Sequence, residues 1–147
     1  MHAPPGRVVC FGEAMLRTSV NLVSPGGAEY NVACALARLD VSTSWVSALP
    51  ENHSIIDQVA LESGVHLDVR RSNYKVGSYA VNQETETVEY NRSNSAFANL
   101  EPTEFDWRGL LTGARWLVMS GITPLLGEGP RSAWGGALTF AELDGTL

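Results

Sequence analysis

Gly26-Gly27-Ala28-Glu29-Tyr30-Asn31-Val32-Ala33-Cys34-Ala35-Leu36-Ala37-Arg38-Leu39 reads as a tight glycine turn feeding straight into a helix. Val32, Leu36 and Leu39 recur at i, i+4 and i+7, which predicts an apolar stripe along one face. Ala28, Ala33, Ala35 and Ala37 are strong helix formers whose small side chains let a helix lie close to a sheet. At the helix start the first backbone N–H groups have no intrahelical partner. Glycines there let a ligand oxygen reach the backbone and the positive end of the helix dipole. Asn31, one turn in, adds an amide with two donors and an acceptor. That chemistry suits hydroxyls or an anion. On spacing alone, a plain turn and a solvated asparagine are the simpler account.

The rest of the composition bounds the answer. A chain of 147 residues is one domain of ordinary size with room for a real core. Apolar residues make up 44% and charged residues 18%, a globular balance. Net charge is −6 and the ten Lys and Arg form no run, which argues against nucleic acid or an anionic membrane as partner. Cys10 and Cys34 fall in apolar surroundings and read as buried free thiols in a reducing compartment. His2, His53 and His66 are too dispersed for a zinc motif, so no local metal site is expected. No basic leader precedes an apolar core and no apolar run approaches spanning length, so a cytoplasmic location is expected.

Working outward, Arg7 to Phe11 reads as a short buried strand, and Gly12-Glu13 follows at its carboxyl end. Open α/β sheets bind ligands there. Read as a residue alone, Glu13 fits a solvated loop acid. Ser42 to Leu49 is a second strand, so strand, helix and strand make a βαβ unit with a parallel sheet. Ile55, Ile56, Val59, Ala60 and Leu61 give a helical stripe closed by Gly64, and Val65 to Val69 a third strand. Gly77 to Val81 and Thr87 to Asn91 alternate around a polar turn, which predicts an antiparallel hairpin. Glu104 to Leu111 is a predicted helix after Pro102, Arg115 to Gly121 a buried strand, and Arg131 to Leu143 a last helix with Trp134, Leu138 and Ala141 on one face.

The Gly26–Leu39 segment resembles the first signature of the ribokinase-like (PfkB) carbohydrate kinases, and especially their 2-keto-3-deoxygluconate kinase branch. Lys75-Val76-Gly77-Ser78-Tyr79 and Tyr90-Asn91-Arg92-Ser93-Asn94-Ser95-Ala96-Phe97 are similar to two further segments that flank the substrate in that branch. Ser120-Gly121-Ile122-Thr123-Pro124 resembles a fourth. The chain departs from the pattern at Lys75, where Arg is usual, at Asn91, where Asp is usual, and near Ser54, where a glycine is usual.

The resemblance implies a three-layer α/β/α fold of ribokinase-like (Rossmann-like) type, with a mostly parallel sheet and a small β lid formed by residues 14–25 and 72–92. The first lid segment is shorter here than is usual in the family. The resemblance implies that Gly26, Gly27 and Asn31 face a sugar, with Glu13 accepting from one of its hydroxyls, Ile122 near it and Tyr79 and Tyr90 as walls. Arg92 is the candidate for a sugar-acid carboxylate, because a guanidinium binds carboxylate through parallel hydrogen bonds. Read as residues alone, the tyrosines also fit sheet packing, Arg92 a surface ion pair and Ile122 a strand-to-turn position.

The implied activity is ATP-dependent phosphorylation of a sugar or sugar acid, with ATP and Mg2+ as cofactors and a homodimer through the lid strands as an arrangement known in relatives. Chains of that family run about twice this length. Their Gly-Ala-Gly-Asp segment, which carries the catalytic Asp, has no counterpart here, so no catalytic residue and no ATP or metal site is assigned to this chain. Two functions stay open: a sugar-acid kinase of which this is the N-terminal half, and a non-catalytic sugar-binding module.

Overall fold

The computed structural model describes residues 6–52 and 54–147. Two of the histidines, His2 and His53, lie outside the described residues. The chain forms β1 (Val8–Phe11), β2 (Met15–Ser19), β3 (Leu22–Gly26), α1 (Ala28–Arg38), β4 (Thr43–Pro50), α2 (Ile55–Ser63), β5 (His66–Ser72), β6 (Gly77–Asn82), β7 (Thr87–Asn91), α3 (Trp107–Leu111), β8 (Trp116–Val118) and α4 (Glu128–Asp144). These build two sheets of four strands.

The main sheet runs β5-β4-β1-β8 with every pair parallel. Parallel sheets are covered on both faces, and alternation along the strands supplies two cores. Val9 and Phe11 of β1, with Val46 and Ala48 of β4, face a core closed by α3 and α4 through Trp107, Leu111, Ala133 and Ala137. Val8, Cys10, Trp45 and Leu49 face the opposite core, closed by α1 and α2 through Tyr30, Ala33, Ile56 and Ala60. Edge-on aromatic pairs anchor each core, Phe11 with Trp107 at 4.9 Å and Tyr30 with Trp45 at 5.0 Å between ring centres. This is the three-layer α/β/α arrangement expected. Cys10 and Cys34 are free and buried, and burial, with Glu29 and Cys34 nearby, pushes the Cys10 thiol up to about 12.

The second sheet is the lid. Its order is β3-β2-β6-β7, with antiparallel β2–β3 and β6–β7 hairpins joined by a parallel β2–β6 pair. The short segment 14–25 therefore still makes a complete hairpin, turning at Val20-Asn21. Gly12, Glu13 and Ala14 link β1 directly to β2, so the lid rises from the carboxyl end of the main sheet.

Five sequence expectations are corrected. The buried face of α1 is Tyr30, Ala33 and Cys34, whereas Val32 is 37% and Leu39 73% exposed. Both the 30-33-34-37 and the 32-36-39 rows have helical spacing, and the small residues of the former allow close approach to the sheet. In α2, likewise, Ile56 and Ala60 are buried while Ile55 and Leu61 are exposed. In α4 the buried row is Ala133, Ala137 and Ala141, with Leu138 exposed and Trp134 only partly buried.

The segment expected as a helix from Glu104 is split into a 3₁₀ turn, Pro102–Glu104, and α3. Phe105 between them is extended and buried, and the Asp106 side chain caps α3 by accepting from the Gly109 N–H at 3.1 Å. The strand expected over 115–121 is only Trp116–Val118, because the chain turns at Gly121 into a 3₁₀ turn, Thr123–Leu125. On the outer side of β8, the Leu117 N–H donates to Leu147 O at 2.8 Å and the Leu147 N–H to Arg115 O at 3.1 Å. Strand-like pairing on β8 thus resumes at Leu147.

Candidate functional site

The link from β1 to the lid carries Glu13, whose residue is only 5% exposed. A buried carboxylate must be paired and hydrogen-bonded. Arg92, just beyond β7, meets this need: its Nε donates to Glu13 Oε2 at 2.9 Å and its Nη2 to the same oxygen at 2.6 Å. Ser95 Oγ donates to the other oxygen, Oε1, at 2.7 Å. The Ser95 hydroxyl in turn accepts from the Ala98 N–H at 3.1 Å, which fixes its orientation. Three donors from the segment after β7 therefore hold a carboxylate that stands on the link between the two sheets.

The pairing leaves the Nη1 end of the Arg92 guanidinium without a protein acceptor among the described residues. Arginine carries five N–H donors in a rigid fork, so that end remains free to bind a second carboxylate. The Tyr90 ring lies beneath the cation, 5.7 Å from ring centre to Cζ, and Tyr79 packs beside Tyr90 at 5.7 Å. Lys75 and Asn91, two of the three departures noted above, are bonded to each other, Nζ to Oδ1 at 2.6 Å.

A cavity of about 560 Å³ opens here, lined by Glu13, Gly27, Glu29, Tyr90, Arg92 and Ile122 among others. At Gly27 the backbone fits closely: a Cβ would lie 2.4 Å from the Glu13 carbonyl oxygen. Five of the expected site residues, Glu13, Gly27, Tyr90, Arg92 and Ile122, are thus brought to one cavity. Gly26 and Tyr79 flank it without lining it, Gly26 packed against the Tyr79 hydroxyl. Asn31 is exposed and lines a different recess with Pro25, Tyr30 and Arg38. Glu13 is engaged within the protein, accepting from Arg92 at Oε2 and from Ser95 at Oε1, and is not a solvated loop acid.

Sequence reading assigned no role to Ser95 or Glu29. Ser95 lies inside a quoted motif, but only its spatial position against Glu13 discloses what it does. Among the described residues, no group of three or more His, Cys, Asp or Glu is placed to hold a metal ion. No helix there is long and apolar enough to cross a membrane.

A parallel α/β sheet flanked by helices on both faces, with a second β sheet at its carboxyl end, makes a ribokinase-like fold. Comparisons with known proteins agree. No protein-family profile matches the chain. It is 32% identical to a curated 2-dehydro-3-deoxygalactonokinase of Haloferax volcanii, over 95% of this chain and 49% of that one. The crystal structure of 2-dehydro-3-deoxygluconokinase from Thermotoga maritima superposes with a TM-score of 0.85 at 33% identity, over 97% of this chain and 49% of that one. A putative ribokinase II of E. coli, solved with ATP and Mg2+, shares the fold at a TM-score of 0.84 and 17% identity, over 97% of this chain and 51% of that one. The chain is a relative of the ribokinase-like (PfkB) carbohydrate kinases and spans about half the length of those it matches.

Proposed function

We propose that this chain is the sugar-binding, N-terminal half of a kinase that phosphorylates a 2-keto-3-deoxy sugar acid such as 2-keto-3-deoxygluconate. The observation that carries the reading is the Arg92 guanidinium, held by Glu13 through Nε and Nη2 with its other end free at the cavity. A fixed guanidinium in a partly desolvated cavity binds a carboxylate more tightly than a mobile one, because less side-chain freedom is lost. Tyr90 offers an apolar face and a hydroxyl to the carbon chain. The names of the Haloferax and Thermotoga relatives support an acid over a neutral sugar.

The family's Gly-Ala-Gly-Asp segment, which carries the catalytic Asp, has no counterpart in this sequence, and among the described residues no group of three or more His, Cys, Asp or Glu is placed to hold a metal ion. We therefore assign ATP, Mg2+ and the catalytic base to residues outside this chain, and no phosphoryl-transfer step to residues within it. The 147 residues alone are then a sugar-acid-binding unit. A homodimer through the lid belongs to the same proposal, with β7, exposed along its whole length, as the edge it would use.

A thermal melt of the chain alone, with 2-keto-3-deoxygluconate and with Mg-ATP tests this. A midpoint raised by the sugar acid and unmoved by Mg-ATP supports the reading. A midpoint unmoved by the sugar acid overturns it, and a shift with Mg-ATP overturns the assignment of the nucleotide site.

A further inference from the structure

Glu29 lies in the first turn of α1 and is 3% exposed. Its Oε1 is buried and has no hydrogen-bond partner among the described residues. Its Oε2 packs over Gly12, where a Cβ would stand 2.2 Å away, so the absence of a side chain at Gly12 makes room for the carboxylate. The residue lines the same cavity as Arg92, yet that cation donates to Glu13 instead. The helix dipole favours an acid at this position but supplies no donor to Oε1. Burying a carboxylate oxygen without a donor is costly, and proteins tolerate such groups where a ligand completes them.

We infer that Glu29 is a ligand-binding residue, its carboxylate accepting a hydrogen bond from a hydroxyl of the molecule whose carboxylate Arg92 holds. The inference rests on the sugar-acid reading above. It adds a specificity element: Arg92 selects for the acid end, and Glu29 selects for hydroxyls along the carbon chain. An acid with the same chain length but no hydroxyls satisfies Arg92 and leaves Glu29 unpaired.

Two ligands separate these parts, 2-keto-3-deoxygluconate and 2-oxohexanoate, the latter having the same six carbons, the keto group and the carboxylate but no hydroxyl. Calorimetric titration of both into the unmodified chain, Glu29→Gln and Glu29→Ala is combined with ligand-free melts of each. Glu29→Ala is expected to weaken 2-keto-3-deoxygluconate by about tenfold or more and to leave 2-oxohexanoate within about twofold. Glu29→Gln, which keeps a neutral acceptor, falls between. Removing an unpaired buried carboxylate should hold or raise the ligand-free midpoint, an effect opposite to that of a structural residue. Equal loss for both ligands, no loss for the sugar acid, or a lowered midpoint in either variant overturns the inference. So does an unmodified chain that binds both ligands equally. If the unmodified chain binds neither, the sugar-acid reading itself has failed and this inference falls with it.

Discussion

Arg92 and Glu13 lie 79 residues apart and meet at one oxygen, with Nε and Nη2 of the arginine both donating to Glu13 Oε2. The contact ties the loop after β7 to the link between β1 and the lid, so it joins the two sheets as well as shaping the cavity. Removing one member leaves the other charge buried and unpaired, which costs far more than the net worth of the pair. Glu13→Ala also strands the Ser95 hydroxyl. It is expected to lower stability by about 2–3 kcal/mol, discounted because the Arg92 side chain is partly exposed, and Glu13→Gln by less. Urea unfolding of the three chains measures it.

Gly77 opens β6 directly against this pair. A Cβ there would lie 2.7 Å from Glu13 Oε1, 3.1 Å from Met15 Cγ and 3.4 Å from Arg92 Cβ. Gly77→Ala must therefore displace the Glu13 carboxylate from the Ser95 hydroxyl. The expected result is a loss of about 1–3 kcal/mol in stability together with weakened sugar-acid binding. Ala80, on the same strand but exposed, serves as the control position: Ala80→Ser should change neither.

Asp57 sets the pH response. Burial alone would raise its pKa, but hydrogen bonds from Arg71 and from the Ser54 backbone and hydroxyl outweigh it and hold the carboxyl below its ordinary 3.8. A group with a lowered folded pKa stabilises the fold above its unfolded pKa and loses that contribution as pH falls through the folded one. Asp57→Asn is thus expected to cost about 1–3 kcal/mol at neutral pH, and its deficit should shrink below about pH 4. Melts at stepped pH of both chains give the comparison.

Much of this architecture was legible because it rests on local pattern. The apolar runs of β1 and β4 and the alternation of β6 and β7 announce themselves, and the signature helix forms where its turn and alanines put it. Which face of that helix is buried was not legible. Val32 and Leu39 outweigh Ala33 and Cys34 in hydrophobicity, but the sheet selects the small residues because they let the backbone come close. In the site, Glu13, Arg92 and Tyr90 could each be named from motifs. Their mutual geometry could not, since the Arg92–Glu13 pair closes across 79 residues and engages a carboxylate that sequence reading offered to substrate. Glu29 stands within the signature, but only burial shows that its Oε1 lacks a partner among the described residues.

The central claim is that the free end of the Arg92 guanidinium holds a sugar-acid carboxylate. Titration of 2-keto-3-deoxygluconate into the unmodified chain and into Arg92→Ala, with Arg92→Lys as the charge-retaining control, addresses it most directly. The account expects saturable binding to the unmodified chain, a loss of about tenfold or more in Arg92→Ala, and only partial recovery in Arg92→Lys, whose ammonium lacks the planar fork. Folding of each variant is checked by its melt, since Glu13 loses its partner as well. Equal affinity in a folded Arg92→Ala would contradict the account.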